Sequence, residues 1–209
     1  MINVKSFTYE NDNSKDVYEK YEWDNTWIEH ANGSNARRVL YIGDSISCQI
    51  RQHATKLAKE TILFDGYGSS KGIDNPYLVD SIRLFAKQQG KCDVVIFNNG
   101  LHGWHLDDKT EYGEYYKRIV KFLLDEFKDT PIFLALTTHV GNNEREKRVI
   151  ARNNTVIKIA KNFNLQIIDL YSKSLELHDM LDEYGVHFSQ NGNIILAGKI
   201  LDEIMKHLN

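Results

Sequence analysis

The sequence predicts an α/β fold, a three-layer α/β/α sandwich in which a five-stranded parallel sheet carries helices on both faces. Three observations lead there. Five short apolar runs recur at residues 38–42, 61–64, 93–97, 132–136 and 166–169. Near-continuous apolar runs suit strands buried on both faces, whereas a strand with one wet face would alternate. Between the runs lie stretches with helical spacing of apolar residues, at 46–59, 77–89, 112–127 and 148–162, with a last one at 192–207. Strand and helix in alternation build βαβ units with right-handed crossovers. The length of 209 residues fits one domain with an appended arm.

The elements follow in order. Residues 1–36 are polar, but Tyr18, Tyr21, Trp23 and Trp27 interrupt them at spacings that would lay aromatic side chains on a core. We therefore expect an arm packed on a main domain of residues 37–209. The first strand stops at Gly43-Asp44-Ser45, a tight turn into a helix. Glycines and small polar residues make 65–72 read as a loop after the second strand. Leu78, Ile82, Leu84 and Phe85 are expected on one side of the next helix. The third strand ends in Asn98-Asn99-Gly100-Leu101-His102. In a sheet of this kind the loops at the carboxyl ends of the strands surround one crevice, so residues distant in sequence can share a site.

Composition excludes several classes. The chain is 42% hydrophobic, enough for a sizeable core. Lys plus Arg number 26 against 29 Asp plus Glu, a net charge of −3 that argues against nucleic acid as a partner. The two cysteines, Cys48 and Cys92, are too few for a disulfide scaffold and suit a reducing compartment. The first residues carry charge where a secretory signal would be apolar, and no long uncharged apolar run occurs. The expectation is a cytoplasmic protein with no membrane partner. A nucleotide-binding reading of the same sheet would need a G-x-G-x-x-G or G-x-x-x-x-G-K turn after the first strand, and Gly43-Asp44-Ser45 lacks that spacing.

Gly43-Asp44-Ser45 after an early strand resembles the first block of the SGNH hydrolases, the GDSL family of esterases and lipases. Gly185-Val186-His187-Phe188 before the final helix is similar to the family's last block, normally Asp-x-x-His. Asn-Asn-Gly at the end of the third strand stands between them in the family's order. The resemblance implies a flavodoxin-like sandwich, in agreement with the periodicity, and ester hydrolysis without a cofactor.

It also implies site residues. A serine between strand and helix can be a simple N-cap, but the resemblance makes Ser45 the nucleophile. His187 is then the base, imidazole being suited to take and return a serine proton near neutral pH. The oxyanion hole would comprise the Ser45 amide, a backbone N–H after the second strand, and a side chain after the third. Strand-end alignment puts Ser70, or else Gly68, at the second position. The register of Gly100 puts His102 at the third, with Asn99 as its competitor. A neutral imidazole can still donate one N–H.

The position three before His187 is Tyr184 where the family has Asp. Asp182 could fold back onto the ring through a turn at 183–185 and complete the triad. Glu183 or a backbone carbonyl are the alternatives. His102 and His105, near Asp107 and Asp108, invite a metal reading, but two histidines with flexible carboxylates form no closed zinc set, and no metal is expected. Cys48 and Cys92 read as small core residues, and Tyr115, Tyr116, Tyr18 and Tyr21 as core or rim. The expected function is a serine esterase acting through an acyl-enzyme on a short acyl ester, an O-acetyl carbohydrate being the favoured substrate. Asn98, Asn99, Trp104, Tyr67 and Lys71 would supply a polar, aromatic rim. The alternative is a non-catalytic module that binds a carbohydrate or acyl ligand.

Overall fold

The structure is a computed structural model and describes residues 17–106 and 109–208. Six strands form one sheet: β1 (Asp24–Trp27), β2 (Arg37–Gly43), β3 (Ile62–Ser69), β4 (Val94–Phe97), β5 (Ile132–Ala135) and β6 (Gln166–Ile168). Their spatial order is β1-β3-β2-β4-β5-β6. The last five are mutually parallel, as expected. The sixth is the correction: β1, contributed by the arm, pairs antiparallel with β3 at the sheet edge.

This added strand explains why the second apolar run ends later than its residues suggest. Asp24 to Trp27 lie opposite Ser69 to Gly66, so a stretch read as loop from its glycines is strand held on both sides. Its glycines serve close packing. A Cβ on Gly66 would meet the Arg51 side chain, and one on Gly68 would lie 2.2 Å from Cys48 Sγ and 3.2 Å from the Asp44 carbonyl oxygen. Strand-like backbone was hidden by residues chosen for a neighbouring helix.

Among the described residues six α-helices cover the sheet: α1 (Ser45–Leu57), α2 (Leu78–Gln89), α3 (Lys109–Glu126), α4 (Asn143–Phe163), α5 (Leu170–Leu175) and α6 (Gln190–Leu208). The alternation of strand side chains sorts them into two layers. Val39 and Tyr41 of β2 join Ile46, Ile50 and Ala54 of α1 and Leu196, Ile200 and Ile204 of α6. Leu40 and Ile42 face the other way, onto Ile82 of α2, Tyr116 and Val120 of α3 and Val156 of α4. The short helix α5, which periodicity did not suggest, buries Leu170 in the first of these layers. Among the described residues, no helix is long and apolar enough to cross a membrane.

Candidate active site

Helix α1 begins where the chain leaves β2. Asp44 is its N-cap, the carboxylate accepting from Ile46 N–H at 3.0 Å. Because Asp44 does the capping, the hydroxyl of Ser45 is left for other partners. Ser47 Oγ donates to the Asp44 carbonyl at 2.6 Å and tightens the same turn. Asp44 is buried, and burial pushes its carboxyl up, while the nearby rings of His102 and His187 and the Ile46 amide pull the other way.

His187 reaches this turn from a hairpin-like loop before α6. Leu181 bridges Phe188, Asp182 N–H donates to the His187 carbonyl at 2.7 Å, and Ser189 N–H donates to the Met180 carbonyl at 2.7 Å. Val186 and Phe188 are buried on either side of His187, so the imidazole is turned the opposite way. Gly185 adopts φ +69°, a left-handed conformation that lets the chain reverse in so few residues. His187 Nε2 lies 2.8 Å from Ser45 Oγ, across 142 residues of sequence.

Asp182 stands behind the ring. Its Oδ2 is 3.4 Å from His187 Nδ1. Its Oδ1 accepts from the backbone N–H groups of Tyr184, Val186 and His187 at 3.2, 3.1 and 3.3 Å. The carboxylate therefore organises the turn with one oxygen and meets the imidazole with the other. Glu183 is exposed on the outside of the turn.

The oxyanion residues fare less evenly. Ser70 is corrected: its backbone N–H donates to the Trp23 carbonyl at 3.1 Å, so it cannot serve a substrate. Its hydroxyl donates to Glu22 and accepts from Trp23 N–H, both at 2.9 Å. The arm has taken this position. Gly68, the runner-up, lies inside the sheet opposite Gly43 and Asn25. Asn99 Nδ2 donates to the Lys71 carbonyl at 2.8 Å and ties together the loops after β3 and β4. His102 is nearly buried, with Glu19 3.3 Å from its Nδ1 and the Trp23 ring set edge-on at 6.2 Å between centroids.

The loop that carries His102 is held from below by Arg152 of α4. Its guanidinium donates to the carbonyls of Gly100, His102 and Gly103 at 3.1, 2.7 and 2.7 Å. The same group lies 4.5 Å from the Trp104 ring centroid and 4.6 Å from that of Tyr112. Each buried carbonyl left without a donor costs about 1 to 3 kcal/mol. Arg152→Met is thus expected to destabilise the protein by about 3 to 5 kcal/mol and to lower Tm by about 10 °C. Thermal unfolding followed by circular dichroism checks this; an unchanged Tm contradicts it.

The rim expected from the loops is also corrected. Tyr67, Lys71, Asn98, Asn99 and Trp104 are all buried. Tyr67 and Lys71 are drawn inward by Asp24 of β1, at 2.7 Å each. Tyr18 and Tyr21 of the arm are exposed instead, at 45% and 61%. His105 pairs with Asp74 at 2.7 Å. Asp107 and Asp108 lie outside the described residues, among which no group of three His, Cys, Asp or Glu side chains is arranged to hold a metal ion. Sequence reasoning missed Glu19, Glu22 and Arg152, which act across 83, 48 and about 50 residues of chain.

No family model matches the chain, and no curated protein does. Solved structures do. An acetyl xylan esterase superposes with a TM-score of 0.63 at 20% identity, over 80% of this chain and 99% of its own. A lipase/acylhydrolase from Enterococcus faecalis gives 0.64 at 17% identity, over 82% and 96%. A member of the lipolytic protein G-D-S-L family from Veillonella parvula gives 0.65 at 16% identity, over 82% and 100%. The sheet order without β1, the strand-to-helix turn at Gly43-Asp44-Ser45 and these superpositions give one conclusion: the chain has the SGNH-hydrolase fold.

Proposed function

We propose that the protein is a serine carboxylic-ester hydrolase working through an acyl-enzyme. The observation that carries this reading is the file of Ser45 Oγ, His187 and Asp182, with 2.8 Å between the first pair and 3.4 Å between the second. Nucleophile, base and orienting carboxylate in that order are what acyl transfer requires. Ser45 Oγ attacks the acyl carbon while His187 Nε2 accepts the hydroxyl proton. The resulting oxyanion is met by the Ser45 amide at the start of α1 and by the His102 ring. Collapse expels the alcohol, which takes the proton back from His187. Water then repeats the sequence on the acyl-enzyme.

The alcohol is proposed to be a carbohydrate and the acyl group acetyl. An acetyl xylan esterase stands among the fold's neighbours, and the exposed rings of Tyr18 and Tyr21 flank Glu19, which reaches the site. Aromatic faces of this kind suit sugar rings. The non-catalytic reading drew on the absence of Asp at position 184; Asp182 beside His187 weighs against it.

Two measurements test the proposal. A fluorophosphonate probe is expected to label Ser45, and hydrolysis of an acetyl ester is expected to exceed that of an octanoyl ester of the same alcohol. Absence of labelling refutes the esterase; a preference for octanoyl refutes the substrate. His102→Ala is expected to lower kcat by about 100- to 1,000-fold with little change in KM, as loss of one oxyanion donor does. If Asn99→Ala causes that loss and His102→Ala does not, the donor is Asn99.

A further inference from the structure

The arm does more than add an edge strand. Residues 19–23 cross the loops after β3 and β4 and are fastened there at several points. Trp23 and Ser70 exchange hydrogen bonds, amide to hydroxyl at 2.9 Å and amide to carbonyl at 3.1 Å. The Glu22 carboxylate accepts from the Ser70 hydroxyl at 2.9 Å and from the Glu19 amide at 3.0 Å. These contacts fix the Glu19 backbone beside the His102 ring. The two side chains are 7% and 4% exposed, and Glu19 Oε1 is 3.3 Å from His102 Nδ1.

A carboxylate at Nδ1 decides which protons the ring can carry. An ionised Glu19 repels a bare Nδ1 lone pair and requires a proton there. A neutral ring with its one proton on Nδ1 has only a lone pair at Nε2, and a lone pair cannot stabilise an oxyanion. Donation from Nε2 opposite an ionised Glu19 therefore needs both nitrogens protonated. We propose that Glu19, brought in by the arm, is a positioning residue that holds His102 as an imidazolium, so that Nε2–H is offered to the developing oxyanion. This rests on the assignment of His102 under the proposed function, and it replaces the neutral donor expected from the sequence.

The surrounding charges fit. Asp44, in the turn before α1, lies near both His102 and His187, and burial pushes its carboxyl up. Lys71, from the loop after β3, is paired with Asp24, and His105 is paired with Asp74. Arg152 of α4 meets the His102 carbonyl and not its ring. Glu22 is occupied by Ser70 and the Glu19 amide. Glu19 places a carboxylate within 3.3 Å of the ring, and in this nearly dry setting an ion pair is favoured over a lone charge.

The test uses the full chain, an acetyl aryl ester, and Glu19→Gln beside Glu19→Asp. Glu19→Gln is expected to lower kcat by about 10- to 100-fold, less than removal of the donor itself, with KM changed little. Without the carboxylate the imidazolium gives up its proton more readily, so the alkaline limb of the kcat/KM profile moves to lower pH. Glu19→Asp is expected to recover most of the loss. Nitrogen NMR of histidine-labelled protein without substrate supplies a readout independent of turnover. Wild-type His102 is expected to carry protons on both ring nitrogens at neutral pH and to lose one in Glu19→Gln. A singly protonated His102 in the wild type overturns the proposal. So does a Glu19→Gln enzyme with kcat within twofold of wild type and an unmoved alkaline limb. If hydrolysis instead survives Ser45→Ala, the assignment of Ser45 as nucleophile under the proposed function fails, while the NMR result still decides the ion pair.

Discussion

Ser45→Ala is expected to reduce ester turnover to background, a loss of about 10⁴- to 10⁶-fold in kcat, with Tm unchanged within a few degrees. Both halves follow from the turn before α1. Asp44 supplies the helix cap and Ser47 braces the turn, so the Ser45 hydroxyl contributes little to folding. It faces His187 Nε2 at 2.8 Å. Turnover with a purified acetyl ester, beside a melting curve, checks both at once. Residual activity above one-hundredth of wild type contradicts the assignment of the nucleophile.

Asp182→Asn is expected to cost about 10³- to 10⁴-fold in kcat while leaving the His187 loop folded. The amide oxygen can go on accepting from the Tyr184, Val186 and His187 amides, as Oδ1 does now. The amide nitrogen then replaces Oδ2 in front of His187 Nδ1 and donates to it. That forces the tautomer protonated at Nε2, which cannot accept the proton of Ser45. Glu183→Gln, on the exposed side of the same turn, is expected to stay within about twofold. Kinetics of the two variants side by side decide the question. Near-silence in both would leave a Ser45-His187 dyad with no carboxylate.

Much of the fold was readable because it rests on local signals. Apolar runs such as 93–97 placed β4 to within a residue, and Gly-Asp-Ser marked the turn where α1 begins. The placement of Asp182 beside the His187 ring was readable for a similar reason, since the two lie only five positions apart. Other features depend on contacts far along the chain. β3 runs on to Ser69 because β1 pairs with it, and nothing in Asp65-Gly66-Tyr67-Gly68-Ser69 announces that partner. Ser70 was misassigned for the same cause: a strand-end register cannot reveal that Trp23 will claim its amide. Tyr67 and Lys71 look like rim residues until Asp24 draws them in. Glu19 and Glu22 lie in the arm and Arg152 in a helical stretch, and nothing in their local sequence names the distant residues they meet.

The most direct measurement is to quench the enzyme during turnover of an acetyl ester, digest it, and weigh the peptides. In the wild type the peptide containing Ser45 is expected to gain one acetyl group, and the gain is expected to build up further in Asp182→Asn if that variant slows deacylation more than acylation. An acetyl group on any other residue, or turnover without acylation of Ser45, would contradict the acyl-enzyme mechanism.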